Sequence, residues 1–366
     1  MTTSAVRRTT WHIAVPVIAI VTLIVSWGRS LPLPVLFVLG LVLAAAVLSA
    51  VHHAEVVAAR VGEPFGSLIL AVTVTVIEVA LIITVMASDP FGSQALARDT
   101  IFAALMITCN GIVGLSLVVR TLRGGEATFN AAGPVTGLAA IAVLATLTLV
   151  LPSFTTSTPG PTFSQGQLLF AALASIVIYS LFIFMQTVRH RDYFLPPVDE
   201  RLVVESEDLH AEAPSNATAW TSAAFLFVAL VGVVGLAQVT KPFIESTLTN
   251  VGLPSAALAV SIALLVLLPE TIAAVRAARR GRIQTSLNLG YGSAMASIAL
   301  TIPTIVVLAW FLGYDLILGL GPVALVLLAI TVITGFATVI SGRATLLQGG
   351  LHLSLMGAFL VLVAMP

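Results

Sequence analysis

The chain has 366 residues, 58% of them hydrophobic and 9% charged, with zero formal net charge and a mean hydropathy of +1.10. Soluble domains carry roughly 25% charged residues, so the composition points away from a water-soluble domain and towards an all-α polytopic membrane protein. No basic excess argues for nucleic acid, and the single cysteine, Cys109, excludes an internal disulfide or a cysteine-based metal cluster.

In chain order, apolar segments separated by charge and turn clusters predict eleven transmembrane helices. They cover 11–28, 33–58, 65–87, 99–120, 133–151, 166–188, 219–238, 251–275, 285–311, 316–340 and 345–365. The first follows Arg7 and Arg8 and imitates a signal peptide. The Gly28-Arg29-Ser30-Leu31-Pro32 stretch behind it has no small-x-small cleavage pattern, so it is read as a retained span. With this count the basic residues separate thirteen to three. One side takes Arg7, Arg8, Arg60, Arg120, Arg123, Arg189, Arg191, Arg201, Arg276, Arg279, Arg280, Arg282 and Arg343, and the other takes Arg29, Arg98 and Lys241. The positive-inside rule then makes the N-terminus cytoplasmic and the C-terminus external.

The organisation that follows is an N-terminal helix (1–30), a first group of five spans (31–188), an acidic cytoplasmic loop (189–218) and a second group of five (219–366). An odd number of spans per group inserts the two groups in opposite directions, which is the inverted-repeat pattern of secondary transporters. The acidic loop reads as a solvated linker or as a cation-attracting segment, and it lacks the glycine and acid spacing of an EF-hand.

Glu78 and Glu270 are the ionisable residues that matter most. Each sits mid-span, in the second helix of its group, where a charge costs at least about 2.5 kcal/mol even on lenient insertion scales. Thr75 lies one turn before Glu78 on the same face. In the following helices, Met106-Ile107-Thr108-Cys109-Asn110-Gly111 and Asn288-Leu289-Gly290-Tyr291-Gly292-Ser293 carry polar oxygens among small residues. Pro269 cannot donate a backbone bond, which leaves a carbonyl one turn earlier available near Glu270.

A hard cation such as Ca²⁺ takes about six to eight oxygen ligands, and two carboxylates with Thr75, Asn110 and Ser293 as neutral donors suit it. The same carboxylates can carry protons, because burial and a second carboxylate both favour the neutral acid, whereas a cation favours the ionised pair. Cation and proton therefore compete for one set of oxygens. Each polar residue also has a purely structural reading. Asn110 can bond helix to helix, and Thr75 can bond its own helix carbonyl. His52-His53-x-Glu55 reads as an interfacial anchor or a metal ligand set, and Arg276, Arg279, Arg280 and Arg282 read as a topology cluster.

Gly62-Glu63-Pro64-Phe65-Gly66-Ser67 leading to Val76-Ile77-Glu78-Val79, and Leu267-Leu268-Pro269-Glu270-Thr271 leading through Ser286-Leu287-Asn288 to Gly292-Ser293-Ala294, resemble the calcium/cation antiporter superfamily, in its bacterial calcium/sodium:proton antiporter branch. The resemblance implies a five-plus-five inverted core with Glu78 and Glu270 as the essential cation and proton carriers. It implies Ca²⁺, Na⁺ or K⁺ and protons as the transported species, no cofactor, and an inner-membrane location. Many members carry a Gly-Asn pair before each acid, where this chain has Thr73-Val74-Thr75 and Leu265-Val266-Leu267, so neutral ligands are fewer. A sodium/calcium exchanger is the second expectation. An integral-membrane enzyme or a non-catalytic membrane subunit is the alternative of another class, although no nucleophile motif or zinc-binding H-E-x-x-H occurs.

Overall fold

The computed structural model describes residues 3–62, 65–88, 94–195, 214–254, 256–313 and 315–366. Most of the acidic loop, 196–213, lies outside the described residues. Eleven helices account for nearly all of the rest: α1 Thr3–Ser26, α2 Leu33–Val61, α3 Phe65–Ser88, α4 Leu96–Gly124, α5 Ala132–Ser153, α6 Gln165–Arg189, α7 Asn216–Asn250, α8 Ala256–Arg279, α9 Ile283–Leu312, α10 Pro322–Val339 and α11 Leu346–Ala364. Among the described residues, nine of these are long and apolar enough to cross a membrane, and α1 and α3 contain the shorter apolar stretches Trp11–Ser26 and Val72–Thr84. The chain is an all-α polytopic membrane protein.

Four boundaries differ by about five residues or more from those expected, the first being the start of α1, at Thr3 rather than 11. The seventh helix does not stop at 238 but continues through Lys241 and Pro242 to Asn250. A charge lowers hydropathy without ending a helix, and here Lys241 is buried, with Nζ 3.6 Å from Glu245 Oε1 one turn on. The eighth helix begins at Ala256 rather than 251. The tenth begins at Pro322 rather than 316, because Leu316–Leu320 is apolar but non-helical and bonds to neighbouring loops.

Some starts are written locally. α6 and α11, the fifth helices of their groups, each open with a capping box, Ser164 with Gln167 and Thr345 with Gln348. The glutamine oxygen accepts the cap's own backbone N–H at 2.9 and 2.8 Å, respectively. α4 is not uniform, since its middle, Ile107–Ile112, is a π-helical turn.

The contacts divide the chain into two compact units, residues 1–89 with 212–266 and residues 90–211 with 267–366, the boundary falling inside α8. In the first unit α2 packs along α7, α1 lies against both, and α3 joins α2 and α7. Gly232 lets α1 approach α7 closely, since a Cβ there would lie 2.9 Å from Ala19 Cβ. Arg60 Nε, at the end of α2, donates to Asn216 Oδ1, at the start of α7, at 2.6 Å. The two helices therefore run in opposite directions. The histidines pack α1 onto α2: His12 and His52 stack with centroids 3.4 Å apart, and His53 Nε2 lies 3.1 Å from the His12 carbonyl. Rings stacked in this way tie α1 to α2.

In the second unit α9 packs against α4, α5 and α6, while α11 packs against α4 and α10, and α10 against α5. The unit has two well-marked ends. At one, β1 (Ala127–Thr128) pairs antiparallel with β2 (Arg343–Ala344). There the Asn130 amide donates to Gln284 Oε1 at 2.7 Å, and Asn288 Nδ2 donates to the Phe194 carbonyl at 2.7 Å. At the other end, Ile317 N–H donates to Gln94 O, Gly319 N–H to Pro161 O and Leu320 N–H to Leu149 O, at 3.3, 2.9 and 2.9 Å. These bonds fix directions: α4 runs opposite to α9, α5 to α10, and α6 to α11. Among the described residues of this unit, Arg120, Arg123, Arg189, Arg191, Arg276, Arg279, Arg280, Arg282 and Arg343 gather towards the β1–β2 end, and Arg98 stands at the other.

Candidate functional site

Two of the candidate residues belong to the first unit. Thr75 and Glu78 lie on the buried face of α3, 5% and 3% exposed, while Val72 and Val76 face outward. Val74, Ile77, Val79 and Ile82 are buried as well, and so is a second hydroxyl, that of Thr73, 6% exposed. The sequence thus places one carboxylate and one hydroxyl a single turn apart on a stripe that lipid does not reach.

Glu270, Asn110 and Ser293 belong to the second unit. Glu270 is 5% exposed on α8, directly after Pro269, which is itself inside the helix. Proline has no N–H, so the Leu265 carbonyl lacks its regular donor four residues on. Two residues on from the proline, Thr271 Oγ1 donates to its own i−4 carbonyl, Leu267 O, at 2.7 Å. Leu264 and Leu268 point outward. The acid therefore sits at a local loosening of an otherwise regular span, which membrane helices tolerate where protein surrounds the backbone.

Ser293 is half-buried on α9, beside Gly290 and Gly292. Gly290 faces α4, where an added Cβ would lie 3.6 Å from the Thr108 carbonyl of the π-helical turn. Nearby, Ser286 Oγ donates to Ser116 Oγ at 2.6 Å, a buried hydroxyl pair linking α9 to α4. Third helices of the two groups thus meet through small and polar residues, as expected where helix backbones approach closely.

Asn110 is fully buried within the π-helical turn of α4. Its Nδ2 donates to Thr331 Oγ1 on α10 at 2.9 Å, and its Oδ1 lies 3.0 Å from His352 Nδ1 on α11. The tautomer of the imidazole and the orientation of the amide are therefore coupled. His352 Nε2 lies 3.1 Å from Thr338 Oγ1, also on α10. The amide thus makes the helix-to-helix bonds that its sequence setting allowed. His352, 1% exposed, is the polar residue that the sequence reading passed over. Its signal was available: one ionisable side chain inside the apolar run of α11.

The profile of the sodium/calcium exchanger protein family matches residues 30–188 and 221–365, covering both groups of five helices. The protein y4hA of Sinorhizobium fredii (strain NBRC 101917 / NGR234) is 42% identical over 324 residues, 88% of this chain and 87% of that one. The sodium-potassium/proton antiporter ChaA of Escherichia coli (strain K12) is 33% identical over 352 residues, 95% of this chain and 94% of that one. The crystal structure of the H⁺/Ca²⁺ exchanger CAX shares the fold, with a TM-score of 0.72 at 14% identity over 97% of this chain and 88% of that one. The buried acids, the polar third helices and these matches lead to one conclusion: the chain belongs to the sodium/calcium exchanger protein family.

Proposed function

We propose that this protein is an inner-membrane antiporter that moves a cytoplasmic cation outward in exchange for protons by alternating access, with Glu78 and Glu270 carrying both. Membership of an exchanger family makes the chain a transporter rather than an enzyme. The observation that carries the reading is the pair of acids, each about 95% or more buried and each in the second helix of its group. Their chemistry suits exchange. A buried carboxylate is stable when protonated or when paired with a cation, and unstable when bare. The empty, ionised site therefore resists switching between faces, which is what couples the two fluxes.

Ca²⁺, Na⁺ and K⁺ are the candidate cations. ChaA is named for sodium, potassium and protons, and CAX for calcium and protons. Thr75, Ser293, the Asn110 oxygen and the Leu265 carbonyl are proposed as neutral ligands. The opposite running directions within each unit, together with the matched capping boxes of α6 and α11, support two inverted groups of five behind an N-terminal helix. The arginine-rich end of the second unit supports a cytoplasmic N-terminus and an external C-terminus.

Everted membrane vesicles holding a proton gradient test the reading. Addition of Ca²⁺, Na⁺ or K⁺ should collapse the gradient, and Glu78→Gln and Glu270→Gln should each abolish the response. Full exchange in both variants would overturn the carrier role. A sodium/calcium exchanger is the second reading, favoured by the family's own name. It requires calcium flux driven by a sodium gradient at clamped pH.

A further inference from the structure

We propose that His352 is a positioning residue for exchange: through Asn110 it fixes the orientation of a ligand amide and pins the π-helical turn of α4. This rests on the proposed exchange function, in which the Asn110 oxygen serves a cation. An amide can present either its oxygen or its NH₂ group, and only the oxygen can ligate a cation. The surroundings of Asn110 decide which. His352 Nδ1 lies 3.0 Å from Oδ1, Thr331 Oγ1 lies 2.9 Å from Nδ2, and the tautomer of the ring sets which end of the amide can face it. Turning the amide over requires the ring to exchange tautomer as well, so amide and ring are set together.

The same bonds hold the turn. A π-helical turn contains one residue more than the α-helical turn it replaces, and such turns are frequent at functional sites. Asn110 sits inside it, and its two partners come from α10 and α11, so the turn is tied to both helices at once. The Cys109 carbonyl, in the same turn, also lies against the imidazole. His352 in turn has little freedom. A Cβ placed on Gly114 of α4 would lie 2.9 Å from His352 Cβ and 3.0 Å from the Leu353 nitrogen, so the α11 backbone rests on α4 beside it. Thr338 faces the far side of the ring at 3.1 Å. None of Asn110, Thr331, Thr338 or His352 is more than 1% exposed, so water does not replace these partners.

The chain supplies its own reporter. Cys109, its one cysteine, is buried next to Asn110 in the turn. The test compares wild type, His352→Ala, His352→Gln and Thr331→Val in native membranes. It reads the cation concentration for half-maximal exchange, the maximal rate, and the rate at which N-ethylmaleimide modifies Cys109. His352→Ala should raise the half-maximal concentration about tenfold and change the maximal rate much less, because the amide loses its fixed orientation while the acids remain. Cys109 modification should accelerate by a similar factor. His352→Gln keeps an N–H donor at comparable reach and should bring both values back towards wild type. Thr331→Val should move both in the same direction as His352→Ala. The proposal is overturned if His352→Ala keeps the wild-type half-maximal concentration and Cys109 protection, or if the glutamine variant, folded, behaves as the alanine variant does. Should His352→Ala not accumulate in membranes, an unchanged Thr331→Val would overturn it equally. If wild type itself exchanges no cation for protons, the exchange reading falls, and Cys109 protection alone then decides whether His352 pins the turn.

Discussion

Pro269 and Glu270 form a two-residue device: the proline removes a backbone donor, and the carboxylate follows it at once. Pro269→Ala would restore the N–H and let the Leu265 carbonyl close its regular bond. The helix gains a hydrogen bond while a cation loses a candidate ligand. We expect Pro269→Ala to raise the melting temperature of the detergent-purified protein, and to raise the half-maximal cation concentration about fivefold, the equivalent of one net hydrogen bond of about 1 kcal/mol. Lower stability with unchanged cation dependence would show that the proline serves packing alone. At this scale the sequence was legible for acids and weak for neutral polar residues. Glu78 and Glu270 announce themselves by the cost of a charge among apolar neighbours. Asn110 has the same appearance whether it serves a cation or bonds to His352 and Thr331, because the partner lies 242 and 221 residues away.

Helix contacts are governed by where glycine permits backbone approach. Gly114 and Gly335 are both interfacial, but they meet different obstacles. A Cβ on Gly114 would press on the backbone of α11, at Leu353 N and Gly349 O, 3.0 and 3.1 Å away. A Cβ on Gly335 would meet the Leu138 side chain, with Cδ2 at 2.7 Å, and a leucine can change rotamer. Gly114→Ala should therefore destabilise by about 1–3 kcal/mol and Gly335→Ala by clearly less, measured as the shift in thermal unfolding of each purified variant. Equal shifts would refute the distinction between backbone and side-chain obstacles. The existence and order of all eleven helices was legible because each is a long apolar run bounded by charge. The ends of α7 and α10 were not. Lys241 interrupts hydropathy inside a helix, and Leu316–Leu320 keeps hydropathy outside one, since burial and helicity are separate properties. The π-helical turn left no periodic signature in six residues, and it shows only through Asn110's partners on other helices.

Across the whole molecule, direction and charge give independent accounts of which way the chain crosses the membrane. Directions come from hydrogen bonds: loops at 127–130, 192–194 and 342–344 meet at one end of the second unit, and loops at 149–162 and 317–320 meet at the other. Charge comes from arginines, which crowd the first of these ends. The division into units was not legible, because each unit draws helices from both groups of five and only tertiary contacts reveal that. Within the second unit the alternation was legible, since the loops that the span count puts on one side are the ones the hydrogen bonds bring together. Cys109 is buried, so single cysteines introduced elsewhere can be read against a low background. Cysteine at Glu126 or Ser341, both exposed near the β1–β2 end, should react with a membrane-impermeant maleimide only in everted vesicles. Cysteine at Ser157 or Asp315, exposed at the opposite end, should react only in intact cells whose outer barrier has been opened. Reversal of both patterns would invert the orientation and leave the fold untouched. Labelling of Glu126 and Asp315 positions from the same side would contradict the running directions of α4 and α9, and with them the inverted pairing on which alternating access in this protein is proposed to depend.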